Sequence, residues 1–134
     1  MVIALCSLPL KIWYKKVDMN LTMYSDGGAR GNPGPAGSGA VLFDGDDSVI
    51  GEVKRYIGTA TNNVAEYTAI IIGMELAIEK GCKVLDARMD SELAVKQLNR
   101  EYKVKQPHLA KLVLRVRDLE RSFDSVTYQH VASL

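Results

Sequence analysis

Strand-like and helix-like segments follow one another in the order β-β-β-α-β-α-α-β, which predicts an α/β sandwich built on a mixed sheet. Three observations carry that prediction. "LTMYS" and "SVTYQHV" are rich in strand formers, and the first of them alternates. "TNNVAEYTAIIIGMELA" is long and oily enough to be a buried helix. Gly and Pro gather between such segments, as in "GGARGNPGPAG", and punctuate the chain.

Each element has its own signal. The first strand begins at Leu21 and is expected to end near Asp26, where "GGARGNPGPAG" reads as a loop. "SGAVLF" and "SVIGEVKRYIG" form a hairpin around "DGDD", because Asp-Gly tolerates positive φ. A helix runs from about Asn63 to Lys80, with Gly81 placed to end it. "KVLDARMD" is a short strand, and "SELAVKQLN" a short helix capped by Asp90 or Ser91. Pro107 opens a longer helix whose apolar stripe is Leu109, Leu112, Val113, Val116 and Phe123. "SVTYQHV" closes the order as the last strand. Residues 1–20 read as an N-terminal extension and residues 21–134 as one domain, with no internal repeat.

Composition narrows the function. A chain of 134 residues has the mass for one proper core. With 47% hydrophobic and 25% charged residues it is neither disordered nor fibrous. The net charge of +1 excludes binding of nucleic acid by bulk positive charge; a polyanion would be held by local placement and with metal help. Cys6 and Cys82 show no metal-binding spacing and read as free thiols of a reducing compartment. No run approaches the roughly 18 apolar residues that span a bilayer. "MVIALCSLPL" has no basic residues before it and no cleavage site of the usual small-residue form, so a cytoplasmic protein with no membrane partner is expected. Nothing in the sequence points to an obligate protein partner.

Three acids stand at matching topological points. Asp26 follows the first strand, Asp90 follows the fourth, and Glu66 lies in the first turns of the oily helix. If the first and fourth strands are parallel neighbours, their C-terminal ends bring Asp26 and Asp90 together, where open α/β sheets place their sites. Three clustered carboxylates repel one another unless a cation neutralises them. Hard oxygen ligands in small number, with room left for water, suit Mg²⁺ or Mn²⁺. The Gly-rich stretch after Asp26 is no P-loop, since no Gly-Lys-Ser/Thr follows, and no dinucleotide fingerprint. "TNN" before Glu66 offers ordinary helix caps. Beside a metal site, the same residues are short donors and acceptors for sugar hydroxyls and phosphates.

"YSDGGARGNPGPAGSGAV", "TNNVAEYTAIIIGMELA" and "MDSELAVKQLNREYKVK" resemble ribonuclease H type 1 in its compact prokaryotic form, over about Leu21 to Val131. The resemblance implies the ribonuclease H-like fold, a five-stranded mixed sheet with helices on both faces. It implies an endonuclease that cuts the RNA strand of RNA/DNA hybrids and leaves 5′-phosphate and 3′-hydroxyl ends. By resemblance Asp26, Glu66 and Asp90 are metal ligands for two Mg²⁺ or Mn²⁺ ions, roughly 3.5–4 Å apart in such sites. Asp26 would bridge the pair. Gly27, Asn32, Asn62 and Asn63 match positions facing the hybrid, Thr61 one that holds a DNA phosphate, and His130 a histidine that assists proton transfer or product release.

The sequence departs from the family at its end. The family's fourth carboxylate opens a C-terminal helix about ten residues after the histidine, whereas this sequence ends at "HVASL" with no Asp or Glu after His130. That helix and ligand are therefore expected to be missing, in a shortened product or a natural variant. Reduced activity is expected, with the Leu134 carboxylate or water filling the gap. "MVIALCSLPLKIW" is then the candidate cover for exposed sheet surface. The basic cluster Lys96, Arg100, Lys103 and Lys105 is either a solvated face or a contact to the nucleic-acid backbone. Rival functions are a hybrid-binding module without turnover, a DNA-cutting relative of the same superfamily, and a nucleotide-binding loop.

Overall fold

The computed structural model describes residues 19–132. Its elements are β1 (Asn20–Ala29), β2 (Gly34–Phe43), β3 (Val49–Ala60), α1 (Asn62–Glu79), β4 (Val84–Met89), α2 (Glu92–Leu98), α3 (Pro107–Glu120) and β5 (Ser125–His130). The strands form one sheet in the order β3-β2-β1-β4-β5. The three strands β1 to β3 pair antiparallel, and β4 and β5 extend the sheet in parallel with β1. The condition for bringing Asp26 and Asp90 together is met, because β1 and β4 are parallel neighbours.

One expectation is corrected. "GGARGNPGPAG" is not a loop: β1 continues through Gly27 and Gly28 to Ala29, and β2 begins at Gly34. Only residues 30–33 turn the chain, closed by the Arg30 N–H donating to the Pro35 carbonyl at 2.8 Å, with Gly31 at φ 81°. Asp26 therefore sits within a strand rather than at its end, opposite Gly39. Glycine replaces side-chain alternation here because another backbone passes close by. A Cβ on Gly27 would collide with the Ala65 carbonyl of α1. In the β2–β3 turn, the Asp44 carboxylate accepts from the N–H groups of Asp46 and Ser48, and the positive φ falls on Asp47 rather than Gly45.

The core lies on one face of the sheet. Leu21 and Met23 of β1, Ala40 and Leu42 of β2, and Leu85 and Ala87 of β4 meet Ile70 and Met74 of α1, with Leu109 and Val116 of α3 completing the cluster. Helix α1 is apolar nearly all round because it is enclosed between the sheet and α3. Burial of side chains such as Ile70 and Met74 stabilises by about 1.5–3 kcal/mol each, an upper bound against an extended chain. Gly73 lets α1 lie directly on Met23 and Ala40, which a Cβ there would strike.

Both capping residues are settled by hydrogen bonds. The Thr61 hydroxyl accepts from the Val64 N–H at 3.2 Å and starts α1. Ser91, not Asp90, caps α2 by accepting from the Ala94 N–H at 3.1 Å. That choice leaves the Asp90 carboxylate available. Gly81, at φ 86°, follows α1 as expected.

All three described helices contribute to this one core. The opposite face is lined by Thr22, Tyr24, Val41, Phe43, Asp86 and Arg88, alternating with the core positions along their strands. After β5 the described residues are Val131 and Ala132, which are not helical. The segment "MVIALCSLPLKIW", Cys6 and the Leu134 carboxylate lie outside the described residues. No described helix is long and apolar enough to cross a membrane.

Candidate active site

Asp26 and Asp90 come together through strand register. Ser25 pairs with Met89 across the parallel β1–β4 ladder, so the residues that follow them, Asp26 within β1 and Asp90 just past β4, emerge at the same edge. Both line a small crevice with Arg88 and Val131. On the far side of β4, His130 pairs with Met89 at the end of β5, and the Val131 N–H donates to the Met89 carbonyl at 2.9 Å. The His130 side chain is exposed.

Glu66 is delivered by the close seat of α1 on the β1–β2 pair. Gly27 and Ser38 face each other in register, and both meet the Ala65 carbonyl. Gly27 does so through its missing Cβ. Ser38 does so by donating its buried hydroxyl to that oxygen at 2.6 Å. The next residue is Glu66, half-buried at the same corner.

The electrostatics register the meeting of the three acids. Partial desolvation raises the Asp26 pKa and the Asp90 charge raises it further, against the lowering effect of the Gly27 N–H, although the Asp26 side chain opens onto solvent. Burial raises Glu66 as well; a hydrogen bond with the Ser91 side chain works against this, and the Asp90 and Asp26 charges reinforce it. Asp26 and Glu66 thus each carry a cost that a cation would relieve. Among the described residues, however, no three Asp, Glu, His or Cys side chains already stand as a metal-holding cluster. The donor chemistry fits a small hard cation such as Mg²⁺ or Mn²⁺, and holding one requires the three carboxylates to draw inwards.

The asparagines tie the β1–β2 turn to the start of α1. Asn62 Oδ1 accepts from the Ala29 N–H at 2.9 Å, and Asn32 Oδ1 accepts from the Asn62 N–H at 3.0 Å. Both side chains are exposed and spend their oxygens on backbone, which leaves the amide NH₂ groups as donors. Asn63 is half-buried beside them. Gly27, grouped with hybrid-facing positions on the resemblance, has the helix seat described above as its visible role.

Sequence reasoning passed over three features of this region. Ser91 reaches Glu66 as well as capping α2. Arg88 enters the Asp26–Asp90 crevice while bonding Asp86 at 2.7 Å and the Tyr24 hydroxyl at 3.1 Å. Gly37 and Gly39 leave a bare strip on β2 beside Asp26, and their period-two spacing inside "GPAGSGAV" was the signal for it.

The family described as reverse transcriptase-like matches residues 24–133. The bifunctional protein Rv2228c of Mycobacterium tuberculosis is 45% identical over 114 residues, covering 84% of this chain and 31% of that protein. Ribonuclease HI of Halobacterium salinarum is 43% identical over 108 residues, covering 81% of this chain and 54% of the relative. The chain thus spans about a third to a half of the curated relatives named here. LC11-RNase H1, solved in complex with an RNA/DNA hybrid, superposes with a TM-score of 0.79 at 38% identity, covering 84% of this chain and 85% of that one. With the strand order and the motifs around Asp26, Glu66 and Asp90, these matches establish that the chain belongs to the ribonuclease H type 1 family.

Proposed function

We propose that this chain hydrolyses the RNA strand of RNA/DNA hybrids, with two Mg²⁺ or Mn²⁺ ions held by Asp26, Glu66 and Asp90. The observation that carries the reading is the meeting of three carboxylates from separate segments, two of them with pKa values raised partly by the others. The hybrid bound in the complex of LC11-RNase H1 supports the substrate class.

Ions held by Asp26, Glu66 and Asp90 would supply activation of a water for in-line attack on a phosphate and stabilisation of the leaving 3′-oxygen, and such cleavage would leave 5′-phosphate and 3′-hydroxyl ends. The chain's own residues do the rest. Asp26 faces the groove and meets the substrate side, while Ser91 orients Glu66 from behind. Asn32 and Asn62 turn NH₂ donors toward minor-groove acceptors and toward 2′-hydroxyls, of which the 2′-hydroxyls distinguish RNA from DNA. Asn63 extends that row. Thr61 keeps a hydroxyl proton free to donate to a DNA-strand phosphate while its oxygen caps α1. His130, exposed at the end of β5, takes or relays a proton as product leaves.

A single-turnover assay on RNA/DNA, RNA/RNA and DNA/DNA duplexes, across Mg²⁺ and Mn²⁺ and with chelator, tests this. Cleavage confined to the hybrid's RNA strand, lost with chelator and reduced a hundredfold or more by Asp26→Asn, is expected. Product insensitive to Asp26→Asn sinks the reading. The second reading, a hybrid-binding module with weakened turnover, is favoured by the absence of a ready-made ligand cluster among the described residues. It predicts tight hybrid binding and no product even at saturating Mn²⁺.

A further inference from the structure

The face of the sheet that the described helices leave open holds a feature that the cleavage chemistry does not use. Two rows of paired residues cross β1, β2 and β3 beside the acids. One runs Asp26, Gly39, Lys54; the next runs Gly28, Gly37, Tyr56. The middle strand contributes only glycine to both rows, so the floor between Asp26 and the β3 side chains is bare backbone. The result is an open groove of about 750 Å³. Two interstrand spacings, roughly 10 Å, separate its ends.

The rim is cationic and aromatic. Lys54, Arg55 and Arg30 form no ion pair with any described residue, whereas Arg88, Arg115 and Arg117 all do. Tyr56 is 74% exposed. The β2–β3 register shifts between Ala36 and Gly37, where β3 bulges next to Gly58 at φ 77°, and such bulges re-aim side chains beside active sites.

Gly37 itself is not demanded by the fold. Its φ lies outside the left-handed region, and a Cβ there would make ordinary contact with the Arg55 carbonyl at 3.7 Å. A side chain would fit the sheet; it would fill the groove.

We propose that this glycine-floored channel is an extension of the substrate site. It takes the nucleotides of the cleaved strand next to the scissile phosphate, with Tyr56 stacking on a base and Lys54 meeting a phosphate. The inference rests on the hybrid-cleaving reading above. The scissile strand is the occupant because the channel opens at Asp26. A bare floor, free cations and an exposed aromatic ring suit a polyanion with flat bases, and such contacts tolerate any sequence.

The test uses the full chain and two hybrids, one short and one whose RNA strand extends several nucleotides on both sides. Binding is read by fluorescence anisotropy in Ca²⁺. The unaltered protein is expected to prefer the extended hybrid by about fivefold or more. Lys54→Ala combined with Tyr56→Ala should bring the two affinities together, Gly37→Val should do the same by filling the floor, and Tyr56→Trp should keep the preference. Melting curves verify that each variant is folded. If hybrids are bound and cut but the preference survives both the double variant and Gly37→Val, the channel is overturned and the cleavage reading stands. If no hybrid is bound at all, both fall together.

Discussion

The two faces of the sheet are made from alternate residues of the same strands, yet they carry different loads. On β1, Leu21, Met23 and Ser25 are buried under the helices, while Thr22, Tyr24 and Asp26 look the other way. On β2, Ala36, Ser38, Ala40 and Leu42 are buried, while Gly37, Gly39, Val41 and Phe43 are not. The covered face supplies packing. The open face supplies Asp26, the bare strip and the rim of cations. Stability and substrate handling are thus separated by the pleat, and a substitution should disturb one or the other according to the parity of its position.

The largest expected effect on stability is a cavity on the covered side. Met74 is fully buried in α1 against the sheet. Met74→Ala should cost about 2–5 kcal/mol and lower Tm on the order of 10 °C. Below the transition, hybrid affinity should be unchanged. A binding defect in folded Met74→Ala protein would break the separation of the faces.

The parity of the covered face was legible in the sequence, and that of the open face was not. The oily helix and the hairpin followed from apolar runs and turn residues, whereas the parallel pairing of β1 with β4 entered only as a condition. The three acids were legible from the segments that carry them, Asp26 on the first strand, Asp90 just past the fourth and Glu66 in the first turns of the oily helix, although β1 runs on past Asp26. "GGARGNPGPAG" misled because glycine has no side chain to alternate. A residue type that signals a loop also permits the closest approach of two backbones, and at Gly27 the second property operates. Tyr56 and Lys54 were silent for a related reason. Their partners across the ladder are Gly37 and Gly39, and the register that aligns them depends on a bulge no local pattern announces.

Gly27 joins the two faces and provides a sharper test. Its missing Cβ seats α1, and the residue after Ala65 is Glu66. Gly27→Ala must push the helix outwards and take Glu66 with it. A displacement near 1 Å at a reacting centre can cost about a hundredfold, so kcat should fall tenfold or more with KM little changed. Ser38→Ala loosens the same seat from β2 by removing the 2.6 Å hydrogen bond, without any clash, and should reduce stability by only about 1 kcal/mol. Equal catalytic losses in both would assign the effect to the bond rather than to the position of the helix.

The smallest effect belongs to the open face far from the channel. Asp86 is a hub there: it accepts from Arg88 Nη2 at 2.7 Å, from Arg88 Nε at 3.0 Å and from Gln129 Nε2 at 3.1 Å, linking β4 to the edge strand β5. By count of bonds this is the densest polar network in the described residues, and it invites the expectation of a large contribution. Solvent argues against it. The Asp86 and Arg88 side chains are 25% and 33% exposed, so water and salt compete for every one of these bonds. Asp86→Ala should therefore shift stability by about 1 kcal/mol or less in low salt, and the shift should shrink further in 1 M salt. Urea midpoints at the two ionic strengths measure it. A salt-independent loss comparable to that of Met74→Ala would mean that the open face bears load after all, and that its residues are not free to be spent on the substrate alone.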